Sequence, residues 1–218
     1  GVLSLLSGEG TATSSGCITF RTGNSGVAGS SGHLVFSSGT ASNGNSGSLL
    51  LGSGAATGGR GGAIFVSIGS GTSGSGGALV LDAGLSTTRT GGSIAIKSGE
   101  GASSSSGLIT VCTSNSGATG SSGCLIFSSG SAKSGNSGDI LLGTSTTKGG
   151  QGGAVFLTVG SGTSGRGGDI SLCAGQSATR SGGSVVLASG EGTATSSGTV
   201  IILSANGGAS GASGYLIF

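Results

Sequence analysis

Fifteen times in 218 residues the chain runs through the same short phrase: a glycine, an apolar residue two places on, and another two places after that. The phrases start at residues 1, 16, 32, 47, 62, 77, 92, 107, 123, 138, 153, 168, 183, 198 and 214. Counting the glycine as position 1, position 3 is always Ile, Leu or Val, from Leu3 through Ile18 and Leu34 to Leu216. Position 5 is always Leu, Ile, Val or Phe, from Leu5 through Phe20 and Phe36 to Phe218. Strict spacing by two puts both side chains on one face of an extended chain. Most repeats place another glycine at position 8, as at Gly39, Gly54 and Gly69, where the backbone is expected to turn.

Most repeats have 15 residues, and those starting at 16, 107 and 198 have 16. The longer ones lie 91 residues apart, so six repeats make a 91-residue super-repeat. The stretch GEGTATSSG at Gly8 returns unchanged at Gly190, two super-repeats later. The domain reading is one array over 1–218, with super-repeats 1–91 and 92–182 and a partial one over 183–218. The chain opens and closes within the pattern, on Gly1 and Phe218, as expected of a processed product or a segment of a longer protein.

The second half of each repeat is small: position 10 reads Ser25, Ala41, Ala56, Gly71, Ser86 and onward in Gly, Ser, Ala or Thr. A flattened coil fits this, with Ile, Leu and Phe directed inward and a thin returning segment opposite. The expected fold is all-β, a β-solenoid of parallel stacked coils, each coil pairing the open edge of the last. Helix is disfavoured because Gly is 54 of 218 residues and each costs about 1 kcal/mol against Ala in a helix. Collagen needs Gly at every third residue and abundant Pro, and this chain has no Pro. Disorder is disfavoured by 33% hydrophobic and only 6% charged residues.

The same numbers exclude classes of function. A net charge of +2 with no basic run argues against a nucleic-acid partner. No apolar run reaches the roughly 18 residues of a membrane span. His33 is the only histidine, and its super-repeat equivalents are Cys124 and Tyr215, so a triad of serine, base and orienting acid has no repeated base. The glycine-rich stretches GGRGG at Gly58 and GGQGG at Gly149 lack the Lys-Ser/Thr of a phosphate loop and read as turns. No enzyme, cofactor or metal is expected.

Three sets of residues remain as candidates. Position 4 points away from the inward pair and is apolar at Val35, Leu50, Phe65, Val80, Ile126, Leu141, Phe156, Val186, Ile201 and Ile217. An exposed apolar stripe of that length marks an assembly surface, unless the chain's own next layer covers it. Glu9, Glu100 and Glu191 share one super-repeat site, and Arg89 and Arg180 share another. Arg89 precedes Glu100 by eleven residues, as Arg180 precedes Glu191, so inter-coil ion pairs Arg89–Glu100 and Arg180–Glu191 are expected. Cys17, Cys112, Cys124 and Cys173 occupy outward positions 2 and 6. They show no zinc-ligand spacing, and Cys17 and Cys173 correspond to Leu108 and Asp82 one super-repeat away. They read as small packing residues or as cross-links between neighbouring molecules.

The repeat style resembles the very long Gly/Ser/Thr-rich repeat proteins of diatoms, oomycetes and related heterokont protists. GEGTATSSG at Gly8, GNSG at Gly44 and Gly135, and GAATGGRGG at Gly54 carry the resemblance across the chain. It implies secretion and a role in an extracellular fibre, coat or flagellar hair. The expectation is therefore an extracellular structural protein that assembles with itself, with other extracellular fibre proteins or glycans as further candidate partners. The alternative is an adhesin stalk or an ice-binding module. Ice-binding β-solenoids show Thr-x-Thr in nearly every coil, whereas here Thr-Ala-Thr occurs only at Thr11–Thr13 and Thr193–Thr195.

Overall fold

The computed structural model describes residues 1–12 and 14–218, so the end of the first Thr-Ala-Thr, Thr13, lies outside the described residues. The chain divides into two segments, Gly1–Ile109 and Thr110–Phe218. In each, the 15-residue period survives as a series of bends. The first segment bends at 42–44, 57–59, 72–74, 87–89 and 102–104. The second bends at 133–135, 148–150, 163–165, 178–180 and 193–195.

A glycine-to-glycine hydrogen bond closes six of these bends into loops, and a seventh such bond joins Gly16 to Gly8. In the first segment the N–H of Gly16 donates to the carbonyl of Gly8 at 3.0 Å, and Gly77, Gly92 and Gly107 donate in the same way to Gly69, Gly84 and Gly99. In the second segment Gly168, Gly183 and Gly198 donate to Gly160, Gly175 and Gly190. Each bond joins position 1 of one repeat to position 8 of the repeat before it. Other repeats close through a side chain instead. The Ser53 hydroxyl donates to the Gly62 carbonyl at 2.8 Å, and Thr144 donates to Gly153 at 3.1 Å.

The 16-residue repeats are built differently. Their extra residue is taken up by a tight turn, in which the N–H of Gly29, Gly120 or Gly211 donates to the carbonyl of Gly26, Gly117 or Gly208. In two of them a threonine hydroxyl, Thr22 or Thr113, spans ten residues to the carbonyl of Gly32 or Gly123. All these matching bonds recur at the 91-residue interval of the super-repeat, which is therefore a period of backbone geometry as well as of sequence.

The expected β-solenoid is not what forms. Among the described residues there is no strand and no helix. The reason is which carbonyl each N–H reaches. A solenoid needs N–H groups to pair with a neighbouring coil along a whole ladder. Here the inter-repeat glycine spends its N–H on a carbonyl eight residues back, a short closure with a small entropic cost. The small half of most repeats also offers little apolar surface to cover positions 3 and 5. With a quarter of the chain glycine, ordering a strand costs more backbone entropy than such sparse burial returns.

Consequently the described residues form no core. None of the described residues is buried, and the solvent-accessible area is 21248 Å². A compact chain of this 19.8 kDa mass would expose about 8,600 Å² and a fully unfolded one about 29,000 Å². Backbone groups outside the loops face water, which satisfies them. The least exposed residues are small ones beside the loops: Ser7, Gly10, Thr22, Ser86, Ser98, Gly101 and Gly192.

The glycines at position 10 are required by close approach, since none of the described glycines has a positive φ. A Cβ on Gly101 would lie 2.6 Å from the Ser104 carbonyl oxygen, and one on Gly162 would lie 2.7 Å from that of Gly165. Both are closer than real Cβ atoms approach. Gly130 has nothing within 4 Å. Gly101→Ala is therefore expected to open the Gly99–Gly107 loop by about 1 kcal/mol, speeding amide exchange at Gly107 about fivefold. Gly130→Ala should leave the exchange of its own repeat unchanged or slightly slower. Equal effects of the two substitutions, read by NMR, would remove the close-approach explanation.

Candidate assembly surface

The alternation expected from spacing by two is present, but it separates half-exposed from fully exposed rather than buried from exposed. In the first segment Ile64 at position 3 is 56% exposed, Phe65 at position 4 is 90% and Val66 at position 5 is 66%. In the second, Ile140, Leu141 and Leu142 are 54%, 86% and 77% exposed. Positions 3 and 5 gain partial cover from local neighbours. Phe20 and Phe36, both at position 5 of successive repeats, meet edge to face with ring centroids 6.2 Å apart. That arrangement is the one the ring quadrupoles favour.

Position 4 has no such cover. Val35, Leu50, Phe65 and Val80 are exposed in the first segment. Ile126, Leu141, Phe156, Val186, Ile201 and Ile217 are exposed in the second. The ten assembly candidates named from sequence thus stand in solvent in the single chain, and no further layer of the chain covers them. Soluble monomers rarely expose contiguous apolar patches of more than a few hundred Å².

The charged candidates are not brought together within the chain. Neither Arg89–Glu100 nor Arg180–Glu191 closes to an ion pair. Arg89 and Arg180 instead make matching backbone contacts, each N–H donating at 3.0 Å to the hydroxyl of Ser86 or Ser177. The ion pair found among the described residues is Arg166–Asp169, at 3.9 Å and exposed on both sides. An exposed pair of this kind contributes little. It joins position 14 of one repeat to position 2 of the next, and the signal for it was a simple spacing of three. Sequence reasoning sought charges that recur with the super-repeat, and this pair does not recur: its equivalents are Ser75 and Ala78.

All four cysteines are free and exposed. The Ser171 hydroxyl lies 3.5 Å from the Cys173 sulfur. Among the described residues no cluster of three His, Cys, Asp or Glu is placed to hold a metal ion, and no cavity is enclosed. No helix among the described residues is long and apolar enough to cross a membrane. No family model, no curated protein and no solved structure matches the chain.

Exposure of the thiols makes a direct prediction. Cys17, Cys112, Cys124 and Cys173 should all react with a thiol reagent such as Ellman's without denaturant, in a single fast phase. A thiol that reacts only after denaturant is added, in a sample shown to be monomeric, would mean that it is covered within the chain.

Proposed function

We propose that this chain is a structural protein of an extracellular fibre or surface coat, and that it assembles with further copies of itself through the apolar face at position 4. One observation carries the reading: the large apolar side chains at position 4, from Val35 to Ile217, are exposed with nothing in the chain covering them. The chain exposes about 12,600 Å² more than a compact protein of its mass. Water penalises apolar exposure by about 25 cal/mol per Å², so the surface has a strong drive to be covered. A second copy offers the same periodic surface and is the partner with matching spacing. The near-neutral charge of +2 opposes self-association only weakly. The extracellular setting rests on the resemblance to the heterokont repeat proteins.

Self-association should grow with concentration in sedimentation velocity, and the assembled material should be fibrous or sheet-like by electron microscopy. Replacing Phe65 and Phe156 together by Ser should weaken association at least about tenfold, the effect of losing buried aromatic anchors. A chain that stays monomeric at every accessible concentration would overturn the proposal. Thermal hysteresis from such a monomer would favour the ice-binding alternative.

A further inference from the structure

The chain has six asparagines: Asn24, Asn43, Asn45, Asn115, Asn136 and Asn206. Asn43 and Asn206 are followed by glycine, and the other four by serine. Asn24, Asn115 and Asn206 share one site in the three super-repeats, so Gly207 departs from a position that otherwise holds Ser25 and Ser116. All the asparagines are exposed. An asparagine amide carbon lies within reach of the backbone nitrogen of the next residue, and joining the two closes a small ring, a succinimide. Glycine at that next place has no Cβ to crowd the closure and leaves the backbone free to swing into it.

We propose that Asn43 is a site of spontaneous deamidation, and that Asn206 is a slower one. At Asn43 the backbone nitrogen of Gly44 loses its proton to hydroxide and attacks the side-chain Cγ. A ring C–N bond forms and the amide C–N bond breaks. The leaving nitrogen takes a proton from water and departs as ammonia. Water then adds to either ring carbonyl and opens the succinimide, leaving aspartate or isoaspartate at that position. The sum consumes one water, releases one ammonia and changes no oxidation state. Each event turns a neutral amide into a carboxylate, so reaction at both sites takes the formal net charge from +2 to zero. The modification stands independently of the assembly reading.

The local structure ranks the two sites. Asn43 sits in the bend at 42–44. Among the described residues the Gly44 N–H donates to no backbone acceptor, so no hydrogen bond has to break before it reacts. A Cβ built on Gly44 would meet nothing within 4 Å, so no neighbour obstructs the ring closure. Gly207 is placed differently. It packs against the turn in which the Gly211 N–H donates to the Gly208 carbonyl at 3.1 Å, and a Cβ on it would run into the Gly211 carbonyl. Asn206 therefore reacts only as that turn opens. Asn45 supplies a comparison within the repeat of Asn43, since it is equally exposed and is followed by Ser46.

The test is incubation of the full chain in mildly alkaline buffer, with peptide mass mapping over time. Asn43 should convert at least about tenfold faster than Asn45, a modest difference in barrier. Isoaspartate should appear beside aspartate, as ring opening from either side requires. Gly44→Ala, which the open space around Gly44 accommodates, should slow Asn43 to the rate of Asn45. Equal rates at Asn43 and Asn45, or aspartate without isoaspartate, would overturn the proposal. Asn206 should lag behind Asn43 in native buffer and match it in denaturant, where the Gly208–Gly211 turn is lost. A ratio of the two rates that denaturant leaves unchanged would overturn the role given to the turn.

Discussion

The hydrogen bond from the leading N–H of one repeat to the position-8 carbonyl of the repeat before it sets the form of this chain. It spans eight residues, joins glycine to glycine, and needs no partner beyond the adjoining repeat. Because it is short, it closes at small entropic cost and fixes where the backbone doubles back. It also uses a donor that a sheet ladder would have needed. The glycine content is adapted to this geometry. At Gly101 and Gly162 a side chain would run into the carbonyls that fold over position 10. Order in the chain is therefore local, stored in a series of small loops.

Local closure leaves the apolar residues unsatisfied. Positions 3 and 5 obtain partial cover, as where Phe20 meets Phe36, and position 4 obtains none. In a protein with a core, the burial of such side chains supplies most of the free energy of folding. Here that term is left unused by the single chain, so it is available to association. In the proposed assembly the loops would set the spacing and a partner surface would supply the burial.

Much of the pattern was legible from residues alone. The period of 15, the 91-residue super-repeat and the ranking of position 4 as more exposed than position 3 all have direct structural counterparts. They are legible because each depends on residues close in sequence: a glycine that turns, a serine or threonine that reaches a nearby carbonyl, an alternation of side chains along an extended stretch. The solenoid was not legible as an error, because periodicity states which side chains share a face and is silent on whether the face finds cover. The pairs Arg89–Glu100 and Arg180–Glu191 had the same weakness. Their recurrence showed a shared period, but contact also needed adjacent coils, and the backbone of each Arg is committed to a local turn with Ser86 or Ser177.

The sequence by itself determined the spacing of the turns and the identity of the apolar positions, because each follows from steric and bonding rules that act over fewer than about sixteen residues. The tertiary structure alone decided how the backbone hydrogen bonds are shared. Given a nearby carbonyl at position 8 and a distant ladder with little apolar surface to support it, the N–H groups took the nearby acceptor. That choice left the invariant apolar pairs at positions 3 and 5 largely exposed to water instead of in an inner core.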